Sequence, residues 1–317
     1  MLSIAVAAAG IMFIAAAATA QEFPSKIVRL VVAFPPGGGN DTVARMLLQP
    51  LSQALGQSVV VENRPGANTI IGTTLVARAP ADGHTVLLGG LVTSAALRSN
   101  LPFDPIKDFA AVAGIGIIRY VLSVHPSLPA KNIKELIALA RARPGELAYS
   151  TNGYGTFQHV AGELLKARAR IDMKLVVFQG GAPSTVAVLG GHVSVLISTI
   201  ASMVEHIPTG KLRVLAITSR ERSELLKDVP TMMESGVADF DISSMLGVNA
   251  PAATPKAAID RLSAEIIRAV RLPEVKARLT LYGYEGGPFN AGEFDAYNRA
   301  KIQEIKAIAS EAKIKVD

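Results

Sequence analysis

Apolar positions along the chain fall into two alternating rhythms. Short runs rich in Val, Ile and Leu, such as KIVRLVVAF (26–34), SVVVENR (58–64) and HTVLLGG (84–90), are bounded by turn residues and predict strands. Between the first two, DTVARMLLQPLSQALG (41–56) puts Val43, Leu47, Leu51 and Leu55 on one helical face. Pro50 lies inside that helix and is expected to kink or shorten it. The alternation continues with YVLSVHP (120–126), ELAYST (146–151), KLVVFQ (174–179), VSVLIS (193–198) and LRVLAITS (212–219) as strands. NIKELIALARARPG (132–145), TFQHVAGELLKARA (156–169) and APSTVAVLGG (182–191) read as helices, the first ending at Pro144-Gly145. LPFDPIKDF (101–109) reads as a Pro-rich link, and two long helices are expected at 256–271 and 291–312. Strands alternating with helices predict an α/β fold with largely parallel sheets.

A coarser repetition lies over this pattern. A strand, a Gly-rich loop and a helix follow one another at 28–55, again at 146–168, and in shorter form in VVFQGGAPSTVAVLGG (176–191). Two α/β halves that each offer such a loop at the carboxyl end of a strand can build a cleft between lobes. Glycine lets the backbone turn at positive φ and approach a ligand closely. The first N–H groups of the following helix lack internal partners, and the helix dipole favours negative charge in front of them.

The loop FPPGGGND (34–41) leaves four uses open: a phosphate cradle, a catalytic turn, a carboxylate site or a plain connection. A phosphate loop would need a Lys after the last glycine, where Asn40, Asp41 and Thr42 stand; the dinucleotide Gly pattern is unmatched too. Asp41 would repel a dianionic phosphate. It is expected either to bind an amino group on the ligand or to cap its own helix. The second loop, TNGYGT (151–156), supplies hydroxyl and amide donors from Thr151, Asn152 and Thr156, with Gln158 and His159 just inside the helix. His159 is a candidate contact, against the usual structural role of a lone helical histidine.

Composition narrows the classes. Half of the 317 residues are hydrophobic, enough for a sizeable core and for two domains. The net charge of +6 is spread along the chain, aromatics make up only 5% and there is no Trp, so no basic aromatic surface for nucleic acid is expected. The absence of Cys removes disulfides, thiolate metal sites and cysteine nucleophiles. The five His show no metal-binding spacing, and no G-x-S-x-G elbow occurs, so neither metal, cofactor nor catalytic residue is expected. The opening run Met1–Ala20 is apolar or small and ends in Ala18-Thr19-Ala20, which reads as a secretory signal peptide (1–20) cleaved before Gln21. The competing reading is an N-terminal membrane anchor. No Lys or Arg precedes the apolar stretch, which points to a start upstream of Met1.

The run IVRLVVAFPPGGGNDTVARMLLQPLSQALGQSVVVENRPGANTIIGTTLVARAPADGHTVLLG resembles the first lobe of Bug-type receptors, the extracytoplasmic solute-binding proteins of tripartite tricarboxylate transporters. LPFDPIKDF, HVAGELL, GGAPSTVAVLGGHV and GKLRVLAITSRERSELLKDVPTMMESG carry the similarity onward in order, over nearly the whole chain. The resemblance implies a two-lobe, type II periplasmic-binding-protein-like α/β fold with a hinged interlobe cleft. It implies a small organic anion, a carboxylate, as ligand, and integral membrane permease subunits as partners of a monomeric receptor. Residues 21–107 plus 225–317 would form lobe I and 108–224 lobe II, with crossings near 104–108 and 222–228. The carboxylate would sit between Gly38, Gly39, Asn40 and Asp41 on one side and Thr151, Asn152, Gly153, Gly155 and Thr156 on the other. Ala182 and Ser184 of the QGGAPS loop are further candidates, and Thr93 and Ser94 would end the strand TVLLGG facing the same cleft. The chain departs from the family at Phe178-Gln179-Gly180, at Ser194, at Ser198-Thr199 and at Met245-Leu246-Gly247, which makes the second lobe less charged and less aromatic. Thr199, where Asp or Asn is frequent, remains a candidate contact. The rival readings are an α/β enzyme acting on a small anionic substrate and the binding subunit of a periplasmic sensor.

Overall fold

The β-branched run Val28–Val32 forms strand β1, with Val28, Leu30 and Val32 in the core. The structure, a computed structural model, describes residues 23–316; the expected signal peptide lies outside them. β1 is followed by α1 (Gly39–Leu55), β2 (Val59–Asn63), α2 (Ile70–Ala77), β3 (Thr85–Leu88) and α3 (Val92–Leu97). β1 pairs in parallel with β2 on one side and β3 on the other. The stripe Val43, Leu47, Leu51 and Leu55 of α1 is buried as its spacing predicts. α1 runs unbroken through Pro50, so the expected shortening does not occur. Leu47 and Leu51 are buried on either side of it, and their packing outweighs the lost backbone donor.

The long strand β4 (Phe109–Val124) leads into α4 (Ile133–Ala142), β5 (Ala148–Thr151), α5 (Phe157–Ala169), β6 (Lys174–Val177), α6 (Gly181–Leu189) and β7 (Val195–Thr199). β5 pairs in parallel with β6 and β7, so the arrangement of β1 between β2 and β3 is repeated. A 3-10 turn (Ile200–Ser202), β8 (Arg213–Ile217), β9 (Ser243–Pro251), α7 (Lys256–Arg271), α8 (Pro273–Leu281), β10 (Tyr284–Glu285) and α9 (Ala291–Glu311) complete the described chain.

The strands join in the order β2-β1-β3-β9-β4-β7-β5-β6, with β8 and β10 also on β4. β4 pairs with β9 from Phe109 to Arg119 and with β7 from Tyr120 to Val124. A single strand therefore passes from one half of the molecule to the other, and the chain returns through residues 218–242. α9 bridges the halves as well: Ile302, Ile305 and Ile308 share a core with Val160 and Leu164 of α5, while α9 also packs on α3 and β9.

Residues 110–119, AAVAGIGIIR, show no strand-like alternation, and Ala and Gly are poor strand formers. Partners on both sides impose the strand, and the glycines make room for them. A Cβ on Gly114 would stand 2.6 Å from the Met245 sulfur, and one on Gly116 3.3 Å from the backbone of Tyr284.

Candidate functional site

Within each half the parallel strands end on one side, and each is followed by a helix or turn that starts there. α4 and α9 carry side-chain caps, from Asn132 and Asn290. α1, α2, α3 and α6 have none. α7 and α8 also lack side-chain caps, with Pro255 directly before α7 and Pro273 opening α8. The uncapped helices of the parallel units thus keep backbone donors for something outside the helix.

The first loop is built around Asp41. Its carboxylate accepts the Gly37 N–H (2.9 Å) and Arg45 Nε (2.9 Å) at one oxygen, and Asn63 Nδ2 (2.9 Å) at the other. Asn63 also donates to the Phe34 carbonyl (3.2 Å), which pins both ends of the loop. Burial pushes the Asp41 carboxyl up, but the hydrogen bonds from Arg45, Gly37 and Asn63 together hold it below the ordinary carboxylate value. Asp41 is an ionised, buried organiser of the turn. Gly37 takes φ 81°, and Gly38 sits extended at the N-cap, leaving the amides at the start of α1 without a side-chain acceptor.

The second loop uses a different lock. Thr156 caps α5 by accepting the His159 N–H (3.3 Å) and donates to the Gly153 carbonyl (2.9 Å). Thr151 donates to the same carbonyl (3.4 Å). The Gly155 N–H donates to His159 Nδ1 (3.0 Å), so the imidazole proton belongs on Nε2. Burial is the main cause that lowers the His159 pKa, against an opposing pull from Glu163. The Asn152 Oδ1 is buried without a partner, and the Gln158 amide makes no hydrogen bond to another described residue.

The remaining candidates divide. Ser184 is fully buried and donates to Ser150 Oγ (3.0 Å), so its hydroxyl ties α6 to β5. Ala182 is exposed at the start of α6. Thr199 pairs with Ser202 Oγ (3.0 Å), and a Cβ on Gly181 would stand 2.5 Å from the same Ser202 oxygen, so these loops lie together. Thr93 and Ser94 do not end a strand: β3 stops at Leu88, and they form the first turn of α3, because Gly89-Gly90 breaks the strand first. Among the described residues no hydrogen bond connects their side chains to the other loops.

Two residues join the halves that the sequence reading did not single out. Asn68 of the PGANT turn donates from Nδ2 to the Tyr154 carbonyl, and a Cβ on Gly153 would stand 2.9 Å from its Oδ1. Ala67, Asn68 and Thr69 all have positive φ (45°, 49° and 77°). Such a run costs on the order of 1–2 kcal/mol for each residue with a Cβ, so neighbouring structure must hold it. Tyr284 is the other: a Cβ on Gly39 would stand 2.9 Å from its hydroxyl and 3.8 Å from the Cβ of Ala201. The clue to Asn68 was positional, since its loop follows β2 as FPPGGGND follows β1.

The comparisons with known proteins fit this architecture. The sequence model described as tripartite tricarboxylate transporter family receptor matches residues 43–313. Protein BugT of Bordetella pertussis is 37% identical over 275 residues, covering 86% of this chain and 83% of its own. The structure of R. palustris Rpa4515 with adipate is similar at a TM-score of 0.87 and 30% identity, covering 92% of this chain and 99% of that one. MatC from Rhodopseudomonas palustris with bound malate gives 0.82 and 29%, covering 90% and 99%. With the two-lobed α/β frame and the ordered motifs already described, the chain belongs to the tripartite tricarboxylate transporter receptor family.

Proposed function

We propose that this protein captures a small organic carboxylate in the cleft between its halves and delivers it to integral membrane permease subunits. The observation that carries the reading is a pair of Gly-rich loops, one after a parallel strand in each half, that keep polar groups free of partners within the fold. The uncapped start of α1 offers backbone donors from Gly38, Gly39 and Asn40. The 151–156 loop offers the Asn152 side-chain NH2 and the Phe157 and Gln158 N–H groups at the start of α5, where the Thr156 cap takes only the His159 N–H. Dipoles and amides of this kind attract an anion without a fixed cation, and several contacts of about 0.3–1 kcal/mol each add to useful affinity. Adipate and malate in two structural neighbours support the ligand class.

Asp41, His159, Thr156 and Ser184 act in this reading by holding the loops in shape. Binding without chemistry fits a site whose titratable members are locked into the fold, and the protein acts as a monomeric receptor in the periplasm. The test is a thermal-shift screen of the mature protein against mono-, di- and tricarboxylates, amino acids, neutral sugars and phosphates. At least one carboxylate is expected to raise the melting temperature. Stabilisation by sugars or phosphates with none by carboxylates overturns the reading.

A further inference from the structure

Tyr284 opens β10, and its ring lies in the core of the first half with the apolar face of α1. The residue is 5% exposed. Its hydroxyl reaches out of that core. It lies where a Cβ on Gly39 would come within 2.9 Å, and that same point is 3.8 Å from the Cβ of Ala201. The tip of the phenol therefore sits between the first turn of α1 and the 200–202 turn of the opposite half.

Buried hydroxyls are normally hydrogen-bonded. Tyr120 shares a 2.6 Å hydrogen bond with Ser244 Oγ, and Tyr149 donates to Glu163 at 2.5 Å. No described residue hydrogen-bonds the Tyr284 hydroxyl, and its oxygen keeps access to open space. Burial raises its pKa, so it stays a neutral donor at physiological pH. Gly39 is the only residue type that leaves room for it, since any side chain there would meet the hydroxyl oxygen.

We propose that Tyr284 is a ligand contact: its hydroxyl donates to a carboxylate oxygen held at the N-terminus of α1. This rests on the carboxylate reading above. The contact would be made from β10, which pairs with β4, and Gly39 is kept small to let ligand and phenol meet.

Tyr284→Phe removes one oxygen and keeps the ring in the core, so the ligand-free melting temperature is expected to stay as in the wild type. Calorimetric titration of both proteins with malate, adipate and the acid that stabilises the wild type most is expected to show affinity lower by about 10- to 100-fold in Tyr284→Phe, as for a hydrogen bond to a charged group. Gly39→Ala, which presses a methyl group onto the hydroxyl, is expected to lose binding as well. Equal affinity of Tyr284→Phe and wild type for an acid that binds overturns the Tyr284 assignment and leaves the carboxylate reading intact. If the wild type binds no acid of the panel, the carboxylate reading fails and takes this one with it.

Discussion

The imidazole of His159 accepts the Gly155 N–H, and only the neutral ring can do so. Its pKa in the folded protein lies below the ordinary 6.5. Between those two values the unfolded chain binds more protons than the folded one, so stability falls as pH drops through that window. The melting temperature of the wild type is expected to fall between about pH 7.5 and about pH 5.5 more steeply than that of His159→Gln. Identical slopes for the two proteins contradict this account. At this scale the sequence was informative where the partners are local. The glycines of FPPGGGND and TNGYGT, and the Thr156 cap, follow from residues within one turn. Whether Asp41 serves a ligand or its own loop depended on Asn63, which lies 22 residues away and reaches it only through the β1–β2 pairing.

At the scale of elements, β4 carries a buried ion pair close to where it changes partners. Arg119 Nε donates to Glu285 (2.7 Å), and its other nitrogens reach Ser219, the Glu221 carbonyl and the Glu221 carboxylate. Glu285 in turn accepts the Ser223 hydroxyl and the Glu224 N–H (3.1 Å). The pair fastens the returning segment to β10 and β4 together. Arg119→Met leaves Glu285 buried without its cation and is expected to cost about 3–5 kcal/mol, read by urea denaturation. A loss below about 1 kcal/mol would mean that the network is loosely solvated. The helices with clear stripes and the Val- and Ile-rich strands were legible because their own residues favour them. β4 was not: its Ala- and Gly-rich half becomes a strand only because β9 and β10 lie beside it, and its glycines fit those neighbours rather than a local preference. Glu285 lies 166 residues from Arg119, so nothing local announces that pair.

At the scale of the molecule, the two halves were readable from the repeated strand, glycine loop and helix, and the family frame followed. A contact between their loops was not, because Asn68 and Tyr154 stand 86 residues apart and neither belongs to the apolar pattern. Asn68 links a loop of each half by its own side chain while sitting in the left-handed region. Glycine takes that backbone without strain, so Asn68→Gly is expected to fold with equal or higher melting temperature. It is also expected to have a larger radius of gyration by small-angle scattering and weaker ligand binding, since the open state gains population. An unchanged radius in the ligand-free protein counts against Asn68 as a fastener.

The core of the first half combines Val28 to Leu55 with Leu246 to Tyr284. A chain emerging from its N-terminus therefore carries half of that core unpaired until its last third arrives, and contacts of such long sequence separation form slowly. Until then its leading lobe lacks Leu246, Val248, Leu262, Ile266 and Tyr284 and is not finished. A polypeptide that must pass through a narrow channel before it folds gains time from this order of assembly, in which the first half to be made is among the last to close.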